Sequence, residues 1–370
     1  MPYQTLYRKY RPKKISDVHG QDHVVKALSN AVKEKKIAHS YIFSGWWGSG
    51  KTTTARILAA MLNCEEGITH DPCGKCKPCL SIMNGNAIDI KEIDAASNRG
   101  IDEIRKIQDE SNYAPSHLRC KMYILDEAHM LTTQAANALL KIIEEPPRYM
   151  YFVLCTTEPK SILSTIHSRC ERYDFKKIIP KDIADRLKFI ADSEEIEVDE
   201  ETLYTVARHS NGSMRDAISN MDQLIKYCGN EPINAEKARE MLGAVGSNVC
   251  FDLVNAIKNK DAPQGIKIIN ELVSNGVKYD FIYNEMTSHL RNMALVYACG
   301  NNTSCLGLSD HDLGKIQEQA RQLKKISVIT KLFDIFSAAQ EGIAMNINQQ
   351  LVLEMTLIKS IVVVNRDGSG

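Results

Sequence analysis

The sequence has 370 residues, too many for one domain of ordinary size and enough for two or three with their own cores. Lysine plus arginine total 46 and aspartate plus glutamate total 46, and 44% of residues are apolar; this balance excludes a polybasic tail, a histone-like binder and an acidic disordered chain. No signal peptide is recognisable at the start, and the longest apolar runs, such as 149–155, fall far short of the ~20 residues that span a membrane, so a soluble, cytosolic, multidomain protein with no membrane partner is expected.

The charge is uneven along the chain. Residues 1–40 carry nine bases and three acids, a local +6, whereas 191–202 carry seven acids and no base. Such a distribution suits a dipolar molecule with a polyanion docked on one face, and equally two solvated helix faces.

Short β-rich runs alternate with helical patterns through the first half. Strands are expected at 40–44, 87–94, 121–125, 150–156 and 172–175. Val24, Val25, Leu28 and Val32 share one helical face; further helices are expected at 51–62 and at 133–145, the latter stopped by Pro146 and Pro147. This alternation predicts a parallel α/β sheet covered by helices on both faces. The strand signal ends near Pro180. Short amphipathic helices broken at Asn211-Gly212 follow over 181–227, then longer ones at 248–258, 264–274, 283–298, 325–340 and 348–364. The expected layout is an α/β core over 1–179, a small helical lid over 180–243 and an all-α domain over 244–370, closing in a flexible Asp367-Gly368-Ser369-Gly370.

Gly45-Trp46-Trp47-Gly48-Ser49-Gly50-Lys51-Thr52 fits the phosphate-binding pattern G-x-x-x-x-G-K-[ST] between a predicted strand and a predicted helix. Its glycines let backbone N–H groups curl around phosphate oxygens at the positive end of the helix. Lys51 would neutralise the β- and γ-phosphates of ATP, and the Thr52 hydroxyl would ligate Mg²⁺. The apolar run 122–125 ends in Asp126 and Glu127. Asp126 can hold the Mg²⁺ hydration shell and Glu127 can orient and deprotonate an attacking water, so hydrolysis is expected rather than binding alone.

Cys64, Cys73, Cys76 and Cys79 are spaced C-x8-C-x2-C-x2-C. Two C-x-x-C steps, helped by Gly74 and Pro78, draw three thiolates together, and Cys64 closes the set from the end of the preceding helix. Four thiolates suit a structural Zn²⁺; the ligands alone would also serve an iron–sulfur cluster, and His70 stands close enough in sequence to replace one cysteine. Cysteines 120, 155, 170, 228, 250, 299 and 305 have no ligand spacing and are expected as reduced thiols.

Together these residues resemble the AAA+ ATPases, and within them the gamma/tau subunits of bacterial DNA polymerase III clamp loaders. The resemblance rests on Tyr7-Arg8-Lys9-Tyr10-Arg11-Pro12, Asp17-Val18-His19-Gly20-Gln21, the phosphate loop, the four-cysteine insert and Ile93-Asp94-Ala95-Ala96-Ser97. It continues through Asp126-Glu127-Ala128-His129-Met130-Leu131, Asn137-Ala138-Leu139-Leu140-Lys141, Glu144-Glu145-Pro146-Pro147, Cys155-Thr156-Thr157-Glu158, Ser168-Arg169-Cys170 and Gly212-Ser213-Met214-Arg215-Asp216-Ala217. Most AAA+ relatives lack the zinc insert, which makes it the specific mark.

The resemblance implies that Tyr10, Arg11, Pro12 and Val18 close over the adenine, and that Thr53 joins Thr52 around the nucleotide. Thr157 matches the polar residue that senses the γ-phosphate. Arg169 matches the arginine finger that reaches a neighbouring subunit's nucleotide, and Arg215 the lid arginine that contacts nucleotide in cis. Without the family, Arg169 and Arg215 read as ordinary helix-start residues. Arg99 and Arg105, placed in the helix after Ser97, are candidate DNA contacts by family position and equally suit a solvated face. The family reading implies a pentamer with homologous subunits resembling delta and delta prime. It would open a sliding clamp and release it on primer–template DNA without itself polymerising, with salt-sensitive phosphate contacts. The last helical domain is expected as the oligomerisation collar, and the polymerase- and helicase-tethering segments of the long form are not expected within 370 residues. A non-hydrolysing loader subunit would lack Lys51 and Glu127, a Holliday-junction helicase would lack the cysteine insert, and a zinc nucleic-acid module would use ATP only as a ligand. Trp46 and Trp47 depart from the small or basic residues usual in this loop; their rings are expected to pack on a neighbouring subunit or the N-terminal segment.

Overall fold

Alternation of side chains along the strands decides the architecture. In the computed structural model five parallel strands are β1 (Ser40–Gly45), β2 (Ile90–Asp94), β3 (Lys121–Asp126), β4 (Met150–Thr156) and β5 (Glu171–Phe175), in the order β2-β3-β4-β1-β5. Tyr41, Phe43, Met122, Ile124, Val153 and Cys155 point to one core, and Ile42, Tyr123, Leu125, Phe152 and Leu154 to the other. Both faces are therefore apolar, and both must be covered. The structure describes residues 4–229, 231–242, 247–274, 277, 279–300, 310–323, 325–344 and 348–367.

The first compact unit runs to Lys226. It opens with α1 (Leu6–Lys9) and α2 (Asp22–Lys33), whose Val24, Leu28 and Val32 are buried at i, i+4 spacing. Helices α3 (Lys51–Asn63) and α4 (Lys77–Met83) join α2 over the first core, while α5 (Ile101–Ser111) and α6 (Thr133–Glu144) cover the second. Thr132 caps α6 by accepting from Ala135 N, and the Pro146-Pro147 pair follows its end. A short α7 (Ser164–His167) precedes β5. Beyond it lie α8 (Pro180–Ser193), α9 (Glu200–His209) and α10 (Met214–Cys228), the last crossing the end of the unit. Proline at the start of α8 and the Asp199 cap on Thr202 N set those helix starts.

The second unit, from Tyr227, is helical throughout its described elements: α11 (Ala235–Leu242), α12 (Ser247–Asn259), α13 (Ala262–Ser274), α14 (Tyr279–Cys299), α15 (Asp310–Gln322), α16 (Ile326–Ala344) and α17 (Gln349–Asp367). Its core gathers Leu253, Ile257, Tyr283, Leu290, Phe336 and Leu357. No described helix is long and apolar enough to cross a membrane.

Four sequence expectations change. The strand expected from residue 87 starts at Ile90, because the chain turns over 87–90, where Ile90 N donates to the Ala87 carbonyl oxygen at 3.1 Å, and the Asp89 carboxylate accepts from the backbone N–H groups of Ser116, His117 and Leu118 at 2.8–2.9 Å. Arg99 precedes α5 rather than lying in it, and Arg169 follows α7 rather than starting a helix. The basic N-terminal segment and the acidic stretch are not at opposite ends: Lys9 Nζ meets Glu194 Oε1 at 2.5 Å. Cys305 and the closing residues 368–370 lie outside the described residues.

Candidate active site and metal centre

The phosphate loop leaves β1 where the strand order reverses, since β1 lies between β4 and β5 while β2 and β3 lie beyond β4. Open parallel sheets bind ligands at such a point, outside the carboxyl ends of the strands. Gly45 has φ 147°, and a Cβ there would sit 2.1 Å from the Phe175 carbonyl oxygen, so only glycine fits. Gly48, at φ 66°, is approached by the lid: a Cβ would fall 2.0 Å from Ser213 Oγ. Gly50 caps α3 at φ 101° and leaves the first N–H groups of that helix facing the cleft.

Lys51 is 6% exposed, and its Nζ donates to the carbonyl oxygens of Gly45 at 2.9 Å and Trp46 at 3.0 Å. Burial lowers its pKa from the ordinary lysine value, against which the nearby Glu127 and Asp126 carboxylates act. Thr52 Oγ1 donates to Asp126 Oδ2 at 2.9 Å. Glu127 stands at φ 48°, a left-handed conformation that costs a non-glycine residue about 1–3 kcal/mol and is held where the surroundings demand it. Its Oε2 accepts from Thr157 Oγ1 at 3.4 Å. The pairing of the Thr52 hydroxyl with the strand-tip carboxylate offers two oxygen donors for a hard divalent cation beside a buried lysine.

One cleft takes in most of the sequence-selected residues. Tyr10, Arg11, Pro12, Val18, Trp47, Gly48, Ser49, Gly50, Lys51, Thr52, Thr53, Asp126, Glu127 and Arg215 line it. Gly45 and Trp46 do not; they contribute carbonyl oxygens to Lys51 from behind. Thr157 reaches the cleft only through Glu127. Arg169 lies away from it, with Nη2 paired to Glu144 Oε1 at 2.7 Å and Nη1 donating to Thr165 O. Arg99 and Arg105 are exposed outside it, Arg105 pairing with Asp102 at 3.1 Å.

The far wall is formed by Tyr7, Asp17, His19 and Met214, which lie in stretches that carry the family resemblance, and by Ile178, Arg186 and Ile218, which sequence reasoning missed. No motif marks these last three, which become part of a wall only once the lid helices dock on the N-terminal segment. Tyr10 OH donates to Glu194 Oε1 at 2.5 Å, Arg186 Nη2 donates to Tyr10 O at 3.0 Å, and the Arg215 guanidinium lies 5.3 Å from the Tyr7 ring centroid. The tryptophans also find local places. Trp46 lies under the Lys177 ammonium, 3.7 Å from its ring centroid, while Trp47 stays 49% exposed at the cleft.

Cys64 follows α3 directly, Cys73 and Cys76 lead into α4, and Cys79 lies in its first turn. The four sulfurs all lie within 4.8 Å of one another. Ligands tetrahedral about one ion at ~2.3 Å would lie about 3.8 Å apart, so the set fits a single ion; an iron–sulfur cluster would spread the thiolates over separate irons. Lys75 N and Cys76 N donate to Cys73 Sγ at 3.5 and 3.3 Å, and these backbone bonds bring the Cys73 thiol down to about 7. Burial pushes the Cys64 and Cys79 thiols up. Thiolates pressed together and partly buried want a cation, which is the chemistry of a metal centre. His70 is not in the group. Arg119 braces the same corner, donating to the carbonyl oxygens of Leu62 at 2.6 Å and Cys64 at 3.1 Å.

Comparison with known proteins decides the family. The Buchnera aphidicola (Acyrthosiphon pisum) DNA polymerase III subunit gamma is 36% identical over 361 residues, covering 98% of this chain and 99% of that protein. The chain belongs to the gamma/tau subunit family of DNA polymerase III. Three family descriptions match in succession: DNA polymerase III, delta subunit, over residues 20–179; clamp loader subunit, ATPase lid domain, over 182–230; and subunits gamma and tau domain III over 233–366. The Bacillus subtilis DNA polymerase III subunit tau is 38% identical over 97% of this chain, which spans 63% of that relative's length. Among solved structures, the Thermotoga maritima RuvB Holliday junction branch migration motor has a TM-score of 0.48 and 19% identity over 67% of this chain and 79% of that one. By family the chain is a gamma/tau-type subunit, with a five-stranded parallel α/β domain carrying a four-cysteine insert, a segment matching the clamp-loader ATPase lid description and a C-terminal helical domain.

Proposed function

We propose that this chain is the ATP-hydrolysing motor subunit of a sliding-clamp loader, working in the bacterial cytoplasm at the replication fork. The observation that carries the reading is the meeting of Lys51, the Thr52–Asp126 pair and Glu127 in one cleft bounded by the lid residue Arg215. ATP would lie with its phosphates in the loop 45–52 and its adenine against Tyr10, Arg11, Pro12 and Val18. Thr52 and Asp126 would hold a Mg²⁺ ion, which neutralises charge on the phosphates. Lys51 turns from the loop carbonyls to the β- and γ-phosphates. Glu127 takes a proton from water as the water oxygen attacks the γ-phosphorus and the bond to ADP breaks. Thr157, bonded to Glu127, senses the γ-phosphate, and Arg215 ties lid position to occupancy.

Arg169 acts on the neighbouring subunit's nucleotide, a reading supported by its position away from the cleft of its own chain. The assembly is a pentamer with homologous subunits resembling delta and delta prime. It grips a sliding clamp and primer–template DNA, with Arg99 and Arg105 contacting phosphates. The thiolates of Cys64, Cys73, Cys76 and Cys79 hold a structural Zn²⁺ that cross-links α3 to the insert. We divide the chain into a core over 1–179, a lid over 180–243 and a collar over 244–370; the family matches over 20–179 and 182–230 support the first of these limits.

Steady-state ATP turnover by the chain assembled with delta-type and delta-prime-type partners tests the reading. Clamp and primed DNA are expected to stimulate turnover. Arg169→Ala should remove that stimulation, on the order of 10³-fold in the transition-state contribution of a finger arginine, with ATP affinity unchanged. Turnover indifferent to both clamp and DNA would sink the loader reading, and weakened ATP binding in the variant would move Arg169 to a role in its own cleft.

A further inference from the structure

Glu127 needs a fixed carboxylate if it is to take a proton from water. A general base works within about 2.6–3.2 Å of that proton's carrier, and a misplacement of about 1 Å can lower a rate ~10²-fold. Its left-handed backbone turns directly into the short helical turn Ala128–Met130, closed by Met130 N donating to Glu127 O at 2.8 Å. That turn brings the ring of His129 back beside the carboxylate of Glu127. His129 Nδ1 lies 3.4 Å from Glu127 Oε2. The same nitrogen lies 3.1 Å from Thr156 Oγ1, which accepts from Glu158 N at 3.0 Å. Both His129 and Glu127 are largely shielded from solvent, with side chains 13% and 16% exposed.

A bare nitrogen lone pair would repel the carboxylate, so the nitrogen facing Oε2 is the one that carries the ring proton. We infer that His129 is a positioning residue for Glu127: its Nδ1–H and the Thr157 hydroxyl both engage Oε2, and Oε1 is left to receive the proton from water. The inference rests on the reading of Glu127 as general base. Thr156, the last residue of β4, anchors the ring and Thr157 follows it directly, so both contacts to Oε2 are braced from the end of one strand. Distances of 3.4 Å suit this role, because hydrogen bonds around a base run long without substrate and tighten around it.

The test compares His129→Leu with His129→Asn in the complex assembled with its partner subunits, clamp and primed DNA. The two replacements share shape, and only asparagine can present an N–H near the position of Nδ1. His129→Leu should lower kcat by about 10–100-fold with KM and ATP affinity within about twofold of the parent. His129→Asn should recover most of that loss. Equal kcat in both variants, whether high or low, overturns the inference, as does a loss that appears in ATP affinity rather than kcat. Glu127→Gln measured alongside separates the two levels: parental turnover there defeats the general-base reading itself, whereas a dead Glu127→Gln beside a fully active His129→Leu defeats only the role of His129.

Discussion

Thr52 Oγ1 and Asp126 Oδ2 are joined by a 2.9 Å hydrogen bond that links the first turn of α3 to the tip of β3, across 74 residues of sequence. The bond holds both oxygens ready on one side of Lys51. Asp126→Asn retains the shape and removes the charge that would face Mg²⁺. It should weaken the Mg²⁺-dependent part of ATP binding by about 10–100-fold, the equivalent of one charged contact of ~1.5–3 kcal/mol. Titration of ATP with and without Mg²⁺ checks this; equal loss in both conditions would mean that Asp126 acts only through Thr52.

The chain's two tryptophans both lie in the phosphate loop, which makes the loop its own optical probe. Trp47 lines the cleft and Trp46 stacks under Lys177, just before the lid. ATP should change the intrinsic emission, and Trp47→Phe should remove most of the change. Lys177→Ala should alter the resting emission of Trp46 and lose a contact worth about 0.5–2 kcal/mol. Emission unaffected by saturating ATP would contradict a nucleotide in this cleft.

The four-cysteine centre can be tested without nucleotide. One equivalent of zinc per chain is expected after preparation in metal-free buffers, and Cys79→Ser should lower it. A strong chelator should lower the melting temperature of the first unit, because Cys64 directly follows α3 and most of that helix is buried in the core. Less than half an equivalent of zinc in the parent protein would remove the structural ion from the account.

Asp89 sets an acid limb on stability. Burial by itself would raise its pKa, yet the N–H groups of Ser116, His117 and Leu118 outweigh that and hold the carboxyl below its ordinary value. Its folded pKa being the lower one, its contribution is fully present above the unfolded value of ~3.9 and fades as pH falls through the folded value. Asp89→Ala should cost about 1–3 kcal/mol at neutral pH by orphaning those donors. Below about pH 4 the gap between variant and parent should narrow, as denaturant unfolding across pH would report. A gap independent of pH would assign the loss to packing.

Elements with a strong local period were legible before any coordinates. The β-rich run in 40–44 and the proline-stopped helix expected at 133–145 correspond to β1 and α6 within a residue. Five helices were not read. α1 and α7 are only four residues long, α4 carries a proline and a cysteine of the metal set in its first turn, α11 has only eight residues, and α15 is largely polar. In the cleft, the loop and the acidic strand tip have spacing that announces their chemistry. Ile178, Arg186 and Ile218 do not, because an isoleucine or arginine on a lid helix looks the same whether it faces solvent or a ligand.

The sequence by itself determined an α/β sheet with helices on both sides, a phosphate loop opening a helix, two carboxylates at a strand tip and four cysteines at metal spacing. Each of these depends on neighbours a few residues apart, so local periodicity and chain stiffness suffice to specify it. Only the tertiary structure decided that β3 and β4 line up to put Glu127 against Thr157 and His129 against Thr156, and that Tyr10 meets Glu194 across 184 residues. It alone revealed that the locally basic start of this electrically neutral chain pairs with its acidic stretch. Such contacts are set by strand order and by docking of the lid helices, which are cooperative outcomes of packing that no short window of sequence carries.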